Sequence, residues 1–365
     1  MRNVVYFVVN DRFLPIALAV SSALVREPGR NFDVAILLDG EPAAGYRVPD
    51  GVRILPNDLG RYVPEGLENT GAAWARMSFT RMFAPMVFAG TYDRALYLDA
   101  DVSVLGPVSP LFEMDMRGLP LAAGEGMMDE GASQHGFDVG LYKKRLGITD
   151  GRTFNSGLLL MDVEKWNALD HRAMLQSYAA FKRESAGPGI GMSGDQDYLN
   201  FSLKGAWNCL SPRWNFQTFL LRLELESLID PAIVHYVGPR RPWDARLFPF
   251  GDHHIAFYDQ GFERIGLKER SGFRAGSYHW HAFCDQLRQA VYNHAMPARK
   301  REMFEEWSRM RRVFKRAIQS RLDAGQYQDV VQGISRIDLS DDPFEATGIE
   351  DVVYYRKRIR VRAAV

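Results

Sequence analysis

Two aspartates that follow a short apolar run are the strongest chemical signal in the sequence. Asp99 and Asp101 come directly after Arg94–Leu98, which predicts a buried strand. In an extended backbone, residues i and i+2 point the same way, so both carboxylates can bind one hard divalent cation. A turn at a strand end is the alternative, because aspartates are common there. An EF-hand is excluded, since Val104 occupies the position that requires glycine.

A histidine at the end of a later strand can complete such a cation site. His235 lies near the end of the predicted strand Ala232–Val237. Two carboxylate oxygens and one imidazole nitrogen suit Mn²⁺ and leave positions open for phosphate oxygens. Gly238 would let the backbone approach a ligand, and Arg241 would supply a positively charged fork for a diphosphate. A histidine with a purely structural role is the alternative interpretation.

Polar residues elsewhere gain meaning only in combination with this site. Asp195 and Gln196 open a predicted helix, where helix capping explains them equally well, since Ser193 and Gln196 have capping-box spacing. Asn155 enters an apolar strand and Arg81 lies within a predicted helix. Taken singly, each of these is a packing or surface residue. P-loop, hydrolase-elbow and zincin motifs are missing from the sequence, which excludes those classes.

The elements that position these residues alternate along the first 240 residues. The predicted strands are Val4–Val9, Phe32–Leu38, Arg94–Leu98, Leu158–Met161 and Ala232–Val237. The predicted helices are Pro15–Val25, Ala72–Phe88, Asp162–Phe181 and Asp195–Leu203. Fully apolar strands separated by helices predict an α/β fold with a mostly parallel sheet covered on both faces. Ligands of such folds bind beyond the carboxyl ends of the strands, where the polar residues above occur.

Composition narrows the class of protein further. The chain has 365 residues, 46% of them hydrophobic, and its 45 basic and 45 acidic residues cancel. A sizeable core is therefore expected, and nucleic acid is not an expected partner. Cys209 and Cys284 stand alone, which indicates a reducing compartment and no zinc site. The apolar stretch Phe13–Val25 is too short to span a bilayer, so we expect a cytoplasmic protein whose membrane contacts are peripheral.

The C-terminal third of the sequence has a different residue pattern. Met296–Leu322 predicts a basic helix, and Arg356–Arg362 adds five basic residues. Trp307, Met310 and Phe314 form one apolar stripe on the helix. This pattern favours two interpretations equally, a helix that lies on an anionic membrane or one that packs on the preceding domain. Truncation ahead of the helix would abolish lipid binding only in the first case.

Taken in chain order, these motifs resemble glycosyltransferase family 8, which includes bacterial lipopolysaccharide α-galactosyl- and α-glucosyltransferases and the glycogenins. The matching stretches are VVYFVVND, SFTRMF, RALYLDADVSVLGPVSPLF, FNSGLLLMDVEKW, GDQDYLN and HYVGPRRPW. The resemblance implies a GT-A fold over residues 1–245, with a Rossmann-like nucleotide-sugar half and an acceptor half. A mostly helical, basic extension would follow at 246–365. It also implies a UDP-sugar donor, bound Mn²⁺ or Mg²⁺, and retention of anomeric configuration.

The resemblance also assigns roles to residues of this sequence. Asp99, Asp101 and His235 would bind the metal, and Asp195 and Gln196 would act in catalysis at the donor sugar. The donor would contact eight positions, namely Asn10, Asp11, Arg81, Asp99, Ala100, Asn155, Gly238 and Arg241. The sequence departs from the family pattern at two places, and both bear on which sugar is transferred rather than on the class of enzyme. Asn10 and Asp11 are closer to the glycogenin pattern, and Arg241 replaces the usual lysine, which changes the geometry of the contact.

The leading hypothesis is a metal-dependent, retaining transferase that moves a hexose from a UDP-sugar to a saccharide or glycolipid. Lipopolysaccharide or polysaccharide biosynthesis is the implied setting, on the inner face of the cell membrane if the protein is peripheral. Asp195 is the only motif carboxylate that can act as a nucleophile, and same-face attack is the favoured alternative to it. A glycogenin-like self-glycosylating enzyme, a catalytically weak UDP-sugar-binding or scaffold protein, and a haloacid dehalogenase-type phosphatase are the competing hypotheses.

Overall fold

A seven-stranded sheet forms the centre of the molecule. The computed structural model describes residues 1–41, 45–63, 73–126, 139–148, 152–184, 194–238, 241–243, 250–267 and 297–327. In spatial order the strands are β3 (Val52–Pro56), β2 (Phe32–Asp39), β1 (Asn3–Asn10), β4 (Arg94–Leu98), β7 (Phe154–Asp162), β6 (Leu121–Glu125) and β8 (Asn208–Leu210). Strand β7 runs antiparallel to both of its neighbours, and the other pairings are parallel. The predicted α/β fold with a mostly parallel sheet is confirmed.

A small second sheet sits at the carboxyl edge of the first. It consists of β5 (Val102–Val104), β10 (Ile233–His235) and β9 (Phe216–Gln217), in that order. Strands β5 and β10 are antiparallel, and Val102 pairs with His235. This sheet therefore brings a segment more than a hundred residues away in sequence next to the turn that follows β4.

Helices cover both faces of the central sheet. They are α1 (Leu14–Leu24), α2 (Ala73–Thr80), α3 (Ala84–Phe88), α4 (Val139–Leu146), α5 (Val163–Asn167), α6 (His171–Glu184), α7 (Asp195–Leu203), α8 (Thr218–Arg222), α9 (Glu226–Ile229), α10 (Asp252–Arg264) and α11 (Pro297–Asp323). Leu59–Tyr62 and Ser109–Glu113 are 3₁₀ turns.

Strand β1 shows why an uninterrupted apolar run predicts a strand buried on both faces. Its Val5 and Phe7 belong to the apolar layer that includes α1, α8, α9, α10 and α11. Its Val4 and Tyr6 belong to the opposite layer, with α2, α3, α5, α6 and α7. All four side chains are fully buried, and each such burial contributes about 1.5–3 kcal/mol.

Several predicted boundaries were wrong, for local reasons. The segment predicted as one helix at Ala72–Phe88 divides into α2 and α3, because Pro85 belongs to the first turn of a new helix rather than to a bend. The segment Asp162–Phe181 also divides. Asp162 caps α5 by accepting from Lys165 N, and Asp170 accepts from Ala173 N at the start of α6.

Strand ends and short strands account for the other differences. Strand β7 begins four residues earlier than Leu158, and the late strand ends at His235 rather than at Val237. The sequence prediction missed β3, β5, β6, β8 and β9. All of these have five or fewer residues, too few to show a period of their own.

The described part of the C-terminal segment packs on the sheet domain. Helix α10 crosses α1 at Gly261, where an added Cβ would lie 2.8 Å from the Cβ of Ala19. On α11, Met310 and Phe314 are buried, and the Phe314 ring lies 5.2 Å from that of Phe219. The predicted apolar stripe therefore faces protein, as the packing interpretation expected.

A buried polar cluster fastens the end of α11. Arg321 donates from Nε and Nη2 to the carboxylate of Glu125, at the end of β6. Tyr327 Oη and Cys209 Sγ also hydrogen-bond to Glu125. Burial, with the charge of Glu125, raises the pKa of the Cys209 thiol to about 12. Cys284 and the basic segment 356–362 lie outside the described residues. Within the described ranges, no helix combines the length and the hydropathy needed to cross a bilayer.

Candidate functional site

Two carboxylates and one imidazole converge beyond the carboxyl end of β4. The Nε2 atom of His235 lies 3.4 Å from Oδ2 of Asp99 and 3.4 Å from Oδ1 of Asp101. One ligand atom from each residue falls within 4.8 Å of the other two. Two oxygens and one nitrogen at this spacing form a donor set that fits Mn²⁺ and leaves coordination positions open.

Backbone hydrogen bonds fix the segments that carry these ligands. Asp99 N donates to Gly157 O (2.8 Å), which holds the turn after β4 against β7. Tyr236 N donates to Asp101 O (2.9 Å) and extends the pairing between β5 and β10. The ligands are therefore positioned by rigid sheet elements rather than by a long loop.

Gly157 makes room for the histidine. A Cβ at this position would lie 2.1 Å from Cε1 of His235, so any other residue would displace the ring. His235 is 4% exposed and packs directly against this glycine. The Phe-Asn-Ser-Gly stretch thus has a steric role as well as a polar one.

Two arginines flank the three ligands. Arg81 Nη1 lies 3.0 Å from Oδ1 of Asp99 and 3.5 Å from Oδ2 of Asp195. Arg241 Nη2 lies 2.8 Å from Oδ2 of Asp101. Each carboxylate of the site is therefore held by a guanidinium on one side, which places positive charge where an anionic ligand would approach.

The pKa values follow from burial opposed by these charges. Burial alone would raise the pKa of Asp99, but Arg81 and His235 hold it well below its usual range. Burial would lower the pKa of His235, but Asp101 and Asp99 raise it to about 9. Burial raises the pKa of Asp195, and Arg81 opposes that shift. The two carboxylates therefore favour positive charge beside them, which a divalent cation would supply.

A chain of amide side chains leads from the histidine to α7. His235 Nδ1 and Asn215 Oδ1 are 3.0 Å apart, and Asn215 Nδ2 donates to Asn155 Oδ1 (3.0 Å). Asn155 Nδ2 in turn donates to Gln196 Oε1 (2.9 Å). Asn155 Oδ1 also accepts from Gly157 N. Because a backbone N–H can only donate, this contact shows which atom of the Asn155 amide is the oxygen.

The hydrogen bond from Gly157 N to Asn155 fixes the orientation of every amide in this row of side chains. Because Asn155 Oδ1 is an acceptor, Asn215 must present its nitrogen there and its oxygen to His235. Nδ1 of His235 then carries a proton, and Nε2 faces the carboxylates as the available metal ligand. At the other end, Gln196 uses its oxygen within the chain, so its Nε2 is the end that can donate to a ligand.

Helix α7 is fastened so that Gln196 meets Asn155. Gly194 precedes it at a φ of +63°, a conformation that favours glycine. Asn200 donates to Phe154 O (2.9 Å) and accepts from Phe154 N (3.0 Å), which joins the helix to the start of β7. Asp195, 7% exposed, is thereby brought beside Arg81.

The other predicted donor contacts lie around this cluster. Asn10 ends β1, the strand beside β4, and accepts from Phe13 N; Asp11 comes next and accepts from Arg12 N. Ala100 is buried between the two aspartates. Gly238 has a φ of +114°, again a conformation suited to glycine. Within the described ranges, the cluster brings together Asp99, Asp101, His235, Arg81, Arg241, Asp195, Gln196 and Asn155.

Sequence reasoning missed two residues of the site. Tyr97 Oη donates to Oδ1 of Asp99, and the Arg81 guanidinium lies 4.5 Å above the Tyr97 ring. In the sequence, Tyr97 is only one position of the apolar run that predicts β4. Asn215 follows Trp214 in the connection between β8 and β9, where neither periodicity nor spacing marks it.

Comparisons with known proteins identify the family of the chain. The sequence model described as "Glycosyl transferase family 8" matches residues 61–246. General stress protein A of Bacillus subtilis is 28% identical over 233 residues, 60% of this chain and 75% of that protein. Lipopolysaccharide 1,2-glucosyltransferase of Escherichia coli is 29% identical over 182 residues, 47% of this chain and 50% of that protein. Glycosyltransferase GlyF of Streptococcus pneumoniae is 33% identical over 173 residues, 46% of this chain and 37% of that protein.

Solved structures show the same fold. The galactosyltransferase LgtC, solved with donor and acceptor sugar analogs, aligns with a TM-score of 0.55 at 20% identity. The alignment covers 74% of this chain and 99% of LgtC.

Proposed function

Because this chain belongs to glycosyltransferase family 8, we propose that it is a metal-dependent enzyme that transfers a hexose from a UDP-sugar to a saccharide or glycolipid with retention of configuration. The GT-A fold expected from the sequence is confirmed. The observation that carries the proposal is the convergence of Asp99, Asp101 and His235 between two arginines, at the sheet edge where such folds bind ligands.

The residues present fit a divalent cation by the chemistry of their donor set. Asp99, Asp101 and His235 would hold Mn²⁺ or Mg²⁺. When bound, this ion neutralises the diphosphate and stabilises the charge that develops on the leaving phosphate.

The arginines have distinct tasks in this proposal. Arg241 lies at the rim of the cluster and can exchange its contact with Asp101 for a diphosphate oxygen. Arg81 is buried between Asp99 and Asp195, and it keeps Asp99 ionised and fixed. Asn10 and Asp11, at the end of β1, would contact the nucleoside.

The amide chain orients the sugar end of the site. Asn215 holds His235 so that Nε2 faces the cation, and Asn155 holds Gln196 so that its Nε2 can donate to the donor sugar. Asn215 is a positioning residue in this account, because it acts through His235. Asp195 would hold a sugar hydroxyl, with its charge fixed by Arg81.

We favour same-face attack for the transfer step. The bond from the sugar C1 to the phosphate oxygen breaks, and the acceptor oxygen bonds to C1 on the face that the phosphate leaves. The acceptor proton passes to the leaving phosphate, and UDP is released. The Arg81 contact supports this route over a nucleophilic Asp195, because the neighbouring guanidinium weakens that carboxylate as a nucleophile. A glycosyl adduct trapped on Asp195 would overturn it.

Acceptor chemistry is proposed from the relatives and from α11. Lipopolysaccharide 1,2-glucosyltransferase acts on lipopolysaccharide, as its name says, which suggests a saccharide or glycolipid acceptor and a role in making such polymers. Arg309, Arg312 and Arg316 form an exposed stripe on α11, opposite the buried face. Near an anionic membrane, each basic residue contributes about 1 kcal/mol.

Vesicle binding tests that membrane contact without disturbing the core. Replacing Arg309, Arg312 and Arg316 together by Gln leaves the buried stripe of α11 intact. We expect weaker sedimentation with phosphatidylglycerol vesicles than for the unchanged protein, and no binding of either to neutral vesicles. Equal sedimentation of both proteins with anionic vesicles would contradict the contact.

A panel of UDP-sugars tests the activity itself. The protein is incubated with each UDP-hexose and Mn²⁺, and UDP release is measured together with the configuration at C1 of the released or transferred sugar. We expect Mn²⁺-dependent release from one donor with the α configuration retained. Binding of UDP-sugars without turnover of any would favour a binding or scaffold protein, and inversion would contradict retention.

A further inference from the structure

A second group of metal-binding side chains lies outside the site described above. Glu226 begins α9, and His253 and His254 lie in the first turn of α10. Oε1 of Glu226 is 2.6 Å from Nε2 of His253 and 3.3 Å from Nε2 of His254. One ligand atom from each of the three residues falls within 4.8 Å of the other two.

The innermost histidine is held in one orientation. His254 is fully buried, and its Nδ1 lies 2.8 Å from Tyr236 Oη. The same hydroxyl lies 2.6 Å from Ser103 Oγ, on β5. Because these contacts occupy Nδ1, Nε2 is turned toward Glu226. An outer partner that sets the orientation of a ligand histidine is typical of protein metal sites.

The three side chains differ in their exposure to solvent. The side chains of His254, Glu226 and His253 are 0%, 17% and 34% exposed. An ion can therefore enter past His253, and water can occupy a fourth position.

We propose that Glu226, His253 and His254 bind a zinc ion that fastens α10 to α9. Two imidazole nitrogens and one carboxylate oxygen are ligands that zinc prefers. Tetrahedral zinc with bonds of about 2.0–2.1 Å separates its ligand atoms by about 3.3 Å. The pair Glu226–His254 already has this separation, and His253, the most exposed of the three, would move away from its present 2.6 Å contact with Glu226.

The site has a structural consequence. Helix α10 packs closely on α1 at Gly261, and zinc would fix the opposite end of the same helix. Through Tyr236, the residue after His235, the ion would also brace the strand that carries a ligand of the first cluster. The two cysteines predict no zinc site, but this donor set contains no cysteine.

Zinc stoichiometry in paired variants tests the proposal on the full-length, chelator-stripped protein. The Asp99→Asn/Asp101→Asn variant removes zinc binding at the first cluster and serves as the background. We expect this background to bind one zinc ion by calorimetry and metal analysis, with a rise of several degrees in Tm. Adding His253→Ala should weaken zinc binding at least tenfold, since it removes one of three ligands.

Glu226→Gln in the same background is the second variant, in case the first fails to fold by circular dichroism. It replaces the charged ligand with an amide of the same size and should also weaken zinc at least tenfold. Unchanged zinc affinity in the folded variants would overturn the proposal. A background protein that binds no zinc would overturn it as well.

Discussion

The molecule holds two histidine–carboxylate clusters, and they differ in donors and surroundings. The first has two carboxylates and one histidine beyond the end of β4, and the second has two histidines and one carboxylate at the starts of two helices. Arg81 and Arg241 flank the first. A tyrosine hydroxyl orients the inner histidine of the second, whereas an amide orients that of the first.

On these differences rest our proposals that the first cluster serves chemistry and the second serves structure. Oxygen-rich donors suit Mn²⁺ or Mg²⁺, and guanidinium groups beside them suit a diphosphate. Nitrogen-rich donors between two helix starts suit zinc. In these proposals, histidine and carboxylate side chains have different roles in the two clusters because the elements that carry them differ.

Removing both aspartates of the first cluster should have the largest effect. Asp99→Asn/Asp101→Asn deletes the anionic ligands, and the lost cation stabilisation of several kcal/mol corresponds to a fall of about a thousandfold or more in transfer rate. The rate is measured as Mn²⁺-dependent UDP release. His253→Ala should leave the transfer rate within about threefold, and equal losses in the two variants would erase the distinction between the clusters.

Asp195→Asn should reduce kcat by about a hundredfold. It keeps the size of the side chain but removes the charge that Arg81 balances, and an interaction of about 2.7 kcal/mol in the transition state corresponds to that factor. Steady-state kinetics with varied donor measures kcat and KM separately. Asp11→Asn is the control and should raise KM with little change in kcat. A loss confined to KM in Asp195→Asn would assign that residue to binding alone.

Asn215→Leu should raise the Mn²⁺ concentration for half-maximal rate by about 10–100-fold, the usual cost of losing the outer partner of a ligand histidine. Activity is titrated with Mn²⁺ at saturating donor. Asn208→Leu is the matched control, because this buried amide donates to Met116 O in another part of the sheet. It should lower stability without moving the Mn²⁺ midpoint, and equal midpoints in the two variants would remove Asn215 from the positioning role.

Arg321→Met should have the smallest effect on donor binding and a clear effect on stability. It removes the charged partner of the buried Glu125 and leaves the contacts from Tyr327 and Cys209. Because Arg321 is 27% exposed, we expect a loss of about 2 kcal/mol rather than the larger cost of a fully buried pair. Urea unfolding measures it. Arg316→Met, on the exposed face of the same helix, should stay within about 0.5 kcal/mol. Similar losses in both would contradict the fastening role of Arg321.

The sequence predicted the parts of the site that strands carry. Apolar runs locate β4 and β10, and Asp99 and His235 are the polar residues where those runs end, so their meeting follows from the sheet topology. The closeness of Gly157 to His235 and the link through Asn215 depend on packing between segments far apart in the chain, which local patterns do not encode. The same reason explains why Glu226, His253 and His254 went unnoticed, since each is an ordinary residue at the start of a helix.

Calorimetric titration of UDP, with and without Mn²⁺, tests the central claim most directly. The account predicts tight binding only when both are present, and its loss in Asp99→Asn/Asp101→Asn while that variant keeps its fold. In a thermal unfolding experiment, free UDP at about 100 times its Kd should stabilise the folded protein by about 2.7 kcal/mol, which appears as a rise in Tm. UDP binding that is independent of Mn²⁺, or that survives in the double variant, would contradict the account.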